Sequence, residues 1–177
     1  GFKKSPWIIH YDASSCNGCD IETLACLTPL YDAERLGVIN TGNPKHADIF
    51  LVTGAVNEQS KDVIKNIYHQ LPEPKVVVDV GICAATGGIF RECYNISGGV
   101  DTVIPVDVFV PGCAARPEAI IDGILQAVGL ARWVFVVPGL ADQALGGDTA
   151  TSAAAVVFYQ GMHQFAGVGI GEWLGQT

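Results

Sequence analysis

Residues 48–53 read Asp48-Ile-Phe-Leu-Val-Thr53, a nearly all-apolar run that is followed at once by Gly54. Similar short runs rich in apolar residues occur at Trp7–Asp12, Lys75–Val80 and Asp107–Val110. Strands that are apolar along their length, with helical stretches between them, are typical of a parallel sheet covered on both faces. The sequence therefore predicts an α/β fold, a small doubly wound, flavodoxin-like parallel sheet of about four strands. In that order we expect the first and third strands to flank the point where the strand order reverses.

Helices are predicted between these strands, at Asp20–Leu27, Glu58–Gln70 and Arg116–Val128. The last of them has Pro117 at its start and Gly129 just past its end, positions that these residues favour at helix termini. We therefore expect residues 1–129 to form the α/β domain and residues 130–177 to form an apolar, Gly-rich C-terminal extension.

The predicted extension is poor in charge, with eight glycines and only four charged side chains among residues 130–177. Its pattern allows a strand at Trp133–Val137 and either a strand or a helix at Thr151–Tyr159. Two interpretations stay open. The extension packs on the surface of its own domain, or it is buried against another subunit, since large apolar patches usually mark interfaces.

Composition excludes several classes of function. The 177 residues carry 10 Lys and Arg against 18 Asp and Glu, a formal net charge of −8, which argues against nucleic acid or an anionic membrane surface as partner. The longest uninterrupted apolar run is Ala153–Tyr159, far shorter than the roughly 20 residues that cross a bilayer. We therefore expect no direct membrane span.

Four of the six cysteines follow predicted strands. Cys16 and Cys19 form a C-x-x-C pair after the first strand, Cys83 follows the third, and Cys113 follows the fourth. The carboxyl ends of parallel strands meet at one edge of a doubly wound sheet, where ligands bind. Four thiolates there suit zinc or an iron–sulfur cluster, and an arrangement of one pair and two singles beside glycines favours one [4Fe–4S] cluster. The alternative is that the four are ordinary buried thiols.

The two remaining cysteines, Cys26 and Cys93, do not follow strands, and we interpret them as core or half-buried thiols. A second cluster would need four further cysteines, so the chain has ligands for one conventional cluster only.

Three segments together resemble one protein family, over about residues 5–128. They are Ser15-Cys-Asn-Gly-Cys-Asp-Ile-Glu22, Gly81-Ile-Cys83 with Gly87-Gly88, and Pro111-Gly-Cys-Ala-Ala-Arg-Pro-Glu118. They are similar to the small, electron-transfer subunit of membrane-bound, energy-converting [NiFe] hydrogenases, which is homologous to the B-type subunit of respiratory complex I. Cys16-Asn-Gly-Cys19 has the hydrogenase form, since complex I subunits typically carry adjacent cysteines there.

The resemblance implies a subunit of an oxidoreductase, one that holds no complete active site on its own. Its implied cofactor is one proximal [4Fe–4S] cluster, with Cys16, Cys19, Cys83 and Cys113 as ligands. The cluster would exchange electrons with the nickel–iron centre of a separate large subunit during H2 evolution or oxidation. Further implied partners are a ferredoxin-like iron–sulfur subunit and membrane subunits, which would place the chain peripherally on the cytoplasmic side of the cell membrane.

Two polar residues near the predicted site have two interpretations each. Glu22 lies one helical turn after Cys19, and by resemblance it would take part in proton movement; alternatively it is an ordinary first-turn carboxylate. Arg116 would offset negative charge at the site or pair with a carboxylate at an interface; alternatively it is an ordinary surface arginine. We interpret His10, at a strand end, as a strand histidine and not a ligand, and His46, His69 and His163 show no ligand spacing.

Two alternatives to the hydrogenase hypothesis remain. The first is a B-type subunit of a complex-I-like quinone or ferredoxin oxidoreductase that has C-x-x-C by descent. The second, from another class, is a zinc-stabilised scaffold protein without a redox role.

Overall fold

The structure is a computed structural model that describes residues 5–136, with side chains described for residues 5–130. The chain alternates strands and helices through this range. In order, the elements are β1 (Trp7–Ser14), α1 (Gly18–Ala25), β2 (Ile39–Asn40), β3 (Ile49–Gly54), β4 (Val56–Asn57), α2 (Glu58–Gln70), β5 (Val76–Val80), α3 (Ile82–Thr86), β6 (Ile96–Gly98), β7 (Val108–Val110) and α4 (Pro117–Val136).

The main sheet has five parallel strands in the order β2-β1-β3-β5-β7. Numbered within the sheet alone, this is the flavodoxin-like order 2-1-3-4-5, so the predicted fold class is confirmed. Within this sheet, the strand that the sequence did not reveal is β2, because two residues are too few to form an apolar run. β4 and β6 form a separate antiparallel pair.

The point where the strand order reverses differs from the prediction in one respect. β1 lies between β2 and β3, whereas the strand at Val76–Val80 lies one position further out, between β3 and β7. The expectation that the first and third predicted strands flank this point was therefore wrong. The short β2 pairs with β1 on one side. On the other side, the neighbour of β1 is β3, the second predicted strand.

Apolar side chains cover both faces of the sheet. On one face, Val78 and Val80 pack in a cluster that includes Cys26, which directly follows α1, and Ile124 of α4. On the other face, Val77 packs in a second cluster that includes Ile64 of α2 and Ala84 of α3. Successive side chains of a strand point to opposite faces, and this explains why β3 and β5 are apolar at nearly every position.

Two of the predicted helices lie close to their expected places. α2 has the predicted bounds, and it begins with a capping box, in which the Ser60 amide donates to Asn57 Oδ1 at 2.7 Å and the Asn57 amide donates to Ser60 Oγ at 3.0 Å. α1 begins and ends two residues earlier than predicted, at Gly18 and Ala25.

The last helix is the main correction to the predicted elements. α4 continues through Gly129 to Val136, so the predicted end at residue 128 was wrong, and Trp133–Val136 are helical where a strand was predicted. Gly129 has no positive φ, which the terminating conformation needs. The predicted boundary of the C-terminal extension stays a prediction, and Thr151–Tyr159 lies outside the described residues.

Candidate functional site

The four candidate cysteines lie in three segments that follow strands, at the carboxyl edge of the sheet. Cys16 is in the loop after β1, and Cys19 is the second residue of α1. Cys83 is the second residue of α3, directly after β5, and Cys113 lies between β7 and α4. Cys16 and Cys113 are exposed, and the other two are partly buried.

The three loops contact one another through the backbone. The Ile82 amide donates to the Gly112 carbonyl at 2.9 Å, and the Gly81 amide donates to the Val110 carbonyl at 2.8 Å. At the start of α1, a Cβ atom on Gly18 would lie 3.3 Å from Ala114 Cβ. The loop that carries Cys113 is therefore in contact with both of the other loops, so the three segments that carry the four cysteines meet at one edge of the sheet.

Two glycines leave room for cysteine sulfurs. Gly81 has φ 89°, and a Cβ atom there would lie 2.5 Å from Cys19 Sγ. Gly88 has φ 52°, and a Cβ atom there would lie 2.8 Å from Cys83 Sγ. An L-residue with a side chain is disfavoured at both positions by conformation and by space. The sequence analysis noted glycines beside the candidate cysteines, and the structure shows which sulfurs Gly81 and Gly88 face.

The thiols influence one another electrostatically. Burial raises the pKa of Cys83, and the charges of Cys113, Cys16 and Cys19 raise that pKa further, whereas a hydrogen bond from the Ile89 amide lowers it. Burial likewise raises the pKa of Cys19, against a hydrogen bond from the Ala115 amide.

Neighbouring charges affect Cys19 in the same way as they affect Cys83. The pKa of Cys19 is also raised by the charges of Cys16, Cys113 and Asp79. Over residues 5–136, no three His, Cys, Asp or Glu side chains are grouped tightly enough to hold a metal ion. The four thiols are thus within electrostatic range of one another without forming a tight mononuclear metal site.

The other two cysteines lie apart from this site. Cys26 is buried, its thiol donates to the carbonyls of Glu22 at 3.3 Å and Pro117 at 3.5 Å, and burial raises its pKa to about 11. It connects α1 to the start of α4 as part of the core. Cys93 is exposed, so the expectation of a core or half-buried thiol was wrong for it.

The remaining sequence candidates occupy different environments. Glu22 is partly buried on α1, one turn after Cys19, and its carbonyl accepts from the Cys26 amide at 3.2 Å. Arg116 is exposed, directly before α4.

None of the described histidines lies among the four thiols. His10 Nε2 lies 3.1 Å from Thr53 Oγ1 and 3.4 Å from Asp20 Oδ1, and burial lowers the His10 pKa. His46 and His69 are exposed, and His163 lies outside the described residues.

Sequence reasoning missed one residue next to this site, Asp79 of β5. Its side chain is 0% exposed, and both carboxylate oxygens lack a hydrogen-bond partner. Burial, followed by the charge of Asp101, raises the Asp79 pKa from 3.8 to about 8. The signal in the sequence was an acidic residue inside a run of valines, at a position where only an apolar residue is expected.

Exposed apolar side chains accompany the thiols. Ile21 and Leu24 of α1 are 61% and 49% exposed, and Ile82 and Ile89, near Cys83 in the sequence, are 41% and 84% exposed. Exposed apolar groups near a site of this kind are typical of a surface that binds another protein. Among the helices of residues 5–136, none has the length and apolar character to cross a membrane.

The fold and the site together define a class, an α/β domain in the flavodoxin-like order with four thiols gathered at the ligand-binding edge of its sheet. A sequence profile of the family described as "NADH ubiquinone oxidoreductase, 20 Kd subunit" matches residues 16–127. The chain belongs to this family, as the resemblance of its cysteine loops implies.

Relatives include both hydrogenase and complex I subunits. The chain is 53% identical to a probable membrane-bound hydrogenase subunit (mbhJ) of Pyrococcus furiosus, over 71% of this chain and 75% of that protein. It is 42% identical to formate hydrogenlyase subunit 7 of Escherichia coli, over 72% of this chain but only 50% of that protein. It is also 42% identical to the B-type subunit of the NADH-quinone oxidoreductase of Amoebophilus asiaticus, over 70% of this chain and 76% of that protein. These three are oxidoreductase subunits, as expected from the sequence.

Solved structures agree with the fold. A chain of the membrane-bound sulfane sulfur reductase, an archaeal respiratory membrane complex, superposes with a TM-score of 0.64 at 39% identity, covering 73% of this chain and 71% of that one. A chain of an NAD⁺-reducing [NiFe]-hydrogenase superposes with a TM-score of 0.56 over 71% of this chain and 92% of that one. At 18% identity, the second similarity concerns the fold alone.

Proposed function

We propose that this chain is the electron-transfer subunit of a multisubunit, membrane-associated [NiFe] hydrogenase. In this proposal Cys16, Cys19, Cys83 and Cys113 hold a single proximal [4Fe–4S] cluster. The observation that carries it is the grouping of these four thiols, from three connected loops, at one edge of the sheet. The 53% identity to a probable hydrogenase subunit supports the choice of enzyme.

The residues at the site fit an iron–sulfur cluster. Gly81 and Gly88 leave the sulfurs of Cys19 and Cys83 free of neighbouring Cβ atoms. The amides of Ala115 and Ile89 donate to these same two sulfurs, and hydrogen bonds to ligand sulfurs are one of the factors that set a cluster's reduction potential. Bringing four thiolates together is electrostatically unfavourable, and iron would offset their mutual repulsion.

When bound, the cluster would supply a one-electron site next to the partner that holds the nickel–iron centre. The chain's own part would be to hold and orient it, and to exclude water with the exposed apolar side chains of Ile21, Leu24, Ile82 and Ile89 once the large subunit covers them. Glu22, one turn after Cys19, would carry protons at that interface. The other partners would be a ferredoxin-like iron–sulfur subunit and membrane subunits, on the cytoplasmic side of the membrane.

Metal and sulfide analysis of the intact complex tests this proposal. Iron and acid-labile sulfide should each be about four per chain for this subunit, and nickel should be present in the large subunit. Zinc without sulfide, in a colourless preparation, would instead indicate the zinc-stabilised scaffold.

A second candidate is a complex-I-like oxidoreductase subunit with the same cluster but no hydrogen chemistry. It is favoured by the 39% identity to a chain of the sulfane sulfur reductase complex and by the 42% identity to a B-type subunit of NADH-quinone oxidoreductase. The large subunit distinguishes the two candidates, because a nickel site requires two C-x-x-C pairs in that subunit. An iron–sulfur complex without nickel and without H2 turnover would select the second candidate.

A further inference from the structure

The segment that carries the C-x-x-C pair has little local support. α1 has only eight residues, and isolated helices of that length are marginal in water. Its N-cap residue, Asn17, has φ 65°, and the Asn17 side chain makes no capping hydrogen bond. Cys16 and Asn17 are both exposed, so burial does not hold them in place. The geometry of the segment therefore depends on contacts with other parts of the domain.

β1 supplies one such contact on the amino-terminal side of the pair. The carboxylate of Asp12 accepts two hydrogen bonds from Ser15, one from the amide to Oδ1 at 2.7 Å and one from the hydroxyl to Oδ2 at 3.0 Å. Ser15 Oγ in turn accepts from the Asn17 amide at 2.9 Å. The backbone on both sides of Cys16 is thus connected to Asp12 by hydrogen bonds.

β1 supplies a second contact on the carboxyl-terminal side of the pair. His10 Nε2 lies 3.1 Å from Thr53 Oγ1 of β3 and 3.4 Å from Oδ1 of Asp20, the residue after Cys19 in α1. An ionised carboxylate can only accept, so this arrangement is favourable when Nε2 carries the ring proton. The His10 side chain is 12% exposed and that of Asp20 is 26% exposed, so water screens their contact less than it would at an open surface.

His10 and Asp12 project from the same face of β1, because successive side chains of a strand alternate between faces. Ile8, two positions before His10, belongs to the core cluster on the side of α1 and α4. One face of one strand therefore reaches both residues that flank the C-x-x-C pair, Ser15 on one side and Asp20 on the other.

We propose that His10 and Asp12 are positioning residues for the C-x-x-C pair. Asp12 acts through Ser15 on the amino-terminal side, and His10 acts through Asp20 on the first turn of α1. Neither residue is a ligand. The consequence at the cluster rests on the proposed function, since it treats both cysteines of the pair as cluster ligands. Groups that hold metal ligands in place contribute to the properties of a metal site almost as the ligands do.

The first turn of α1 offers a measurement that does not need the cluster. The Ile21 amide donates to the Asn17 carbonyl at 2.9 Å and closes this turn. If His10 and Asp12 hold the segment, loss of either contact should increase local opening there, by about two- to tenfold for one hydrogen bond. Local opening is measured by amide hydrogen exchange, which reports separately on each helix.

The first experiment follows hydrogen exchange by mass spectrometry in the intact complex. His10→Leu and Asp20→Ala should each speed exchange in the first turn of α1 by about two- to tenfold, while exchange in α2 stays as in wild type. The double variant should exchange no faster than the faster single variant, because both changes remove the same contact. His10→Gln, whose side-chain amide supplies a donor in place of the ring N–H, should restore slow exchange.

The Asp12 contact is tested in the same way. Asp12→Ala should speed exchange in the first turn of α1, whereas Asp12→Asn keeps an acceptor oxygen for the Ser15 amide and should lie closer to wild type. His69→Leu and Asp62→Ala are the matched controls. Both residues are exposed on α2, and their substitution should leave exchange in α1 unchanged.

The second experiment examines the cluster, by electron paramagnetic resonance and redox titration of the same complexes. His10→Leu and Asp12→Ala should each change the g-values and shift the reduction potential, because the ligand sulfurs and their hydrogen bonds move. His10→Gln should return both quantities toward wild type. A role in overall stability alone would not move them in a folded complex.

The outcomes separate this inference from the proposed function. Exchange in α1 that stays at the wild-type rate in His10→Leu and Asp12→Ala overturns the assignment, and so does exchange that speeds equally in α1 and α2. If His10→Leu does not fold, the partly exposed Asp20→Ala tests the same contact from the helix. Wild-type g-values and potential in all three variants overturn the role at the cluster. A wild type without any iron–sulfur signal overturns the proposed function, and exchange still decides whether His10 and Asp12 hold the pair.

Discussion

Gly81 lies against the sulfur of Cys19, so that a Cβ atom at position 81 would be 2.5 Å from Sγ. The two residues are far apart in sequence, and they meet because β5 ends just before Gly81 while α1 begins over the same edge of the sheet. Gly81 also has φ 89°, and its would-be Cβ lies 3.4 Å from the Gly112 carbonyl oxygen. The absence of a side chain at position 81 thus allows the segments that carry Cys19, Cys83 and Cys113 to lie close together.

The first prediction is that Gly81→Ala damages the site more than the fold. A left-handed φ costs an L-residue roughly 1–2 kcal/mol, and the new methyl group must displace the Cys19 sulfur. We expect iron bound per chain to fall well below wild type in the purified complex. Gly42→Ala is the matched control, because a Cβ there meets nothing within 4 Å. Wild-type iron content in Gly81→Ala would show that Cys19 is not a ligand in this geometry.

The second prediction separates ligand cysteines from the others. Cys83→Ser should weaken or abolish the iron–sulfur signal in electron paramagnetic resonance, because a serine hydroxyl replaces one of four thiolate ligands. Cys93→Ser should leave the signal unchanged, because Cys93 is exposed and lies outside the four-thiol site. Equal effects of the two substitutions would refute the ligand set.

The third prediction uses two glycines of α4. A Cβ atom on Gly129 meets nothing within 4 Å, so Gly129→Ala should stabilise the helix by about 0.5–1 kcal/mol. Amide hydrogen exchange in the middle of α4, measured within the complex, should slow by about two- to fivefold.

Gly123→Ala, the same change earlier in the helix, should act in the opposite direction. A Cβ atom there would overlap Cγ2 of Val110, a stiff side chain buried in the core between helix and sheet. Exchange in α4 should therefore become faster. If both substitutions shift exchange in the same direction, the packing of α4 on β7 is not as the structure has it.

Much of this architecture could be predicted because the strongest sequence patterns are local. β3 and β5 are apolar over nearly their whole length, and α2 combines helical spacing with the Asn57 cap, so these elements were predictable to within a residue or so. The gathering of four cysteines followed from the topology of parallel sheets. β2 could not be found because its two residues form a strand by pairing with β1 and not by their own propensity.

Other features depend on contacts that no local pattern encodes. A glycine ends a helix when its backbone adopts the left-handed conformation, and Gly129 does not adopt it. Because no proline follows before Pro138 either, α4 continues past Gly129. Asp79 stands out as an exception within a strand, and only burial on all sides reveals it as a neutral acid. The pairing of Gly81 with Cys19 depends on how two distant loops meet.

The last prediction concerns Glu22 and separates proton transfer from electron transfer. Glu22→Gln keeps the size and hydrogen-bonding capacity of the side chain but removes the acidic proton. If Glu22 carries protons between the partner's metal centre and solvent, H2 turnover by the complex should fall by about 10²–10⁴-fold. The cluster signal and potential should stay nearly as in wild type, since Glu22 is not a ligand and its backbone contact to Cys26 is retained. Glu118→Gln, an exposed acid in the first turn of α4, serves as the control and should leave turnover unchanged. Turnover within about twofold of wild type in Glu22→Gln lies well below a general acid–base effect, and Glu22 would then be an ordinary helix carboxylate.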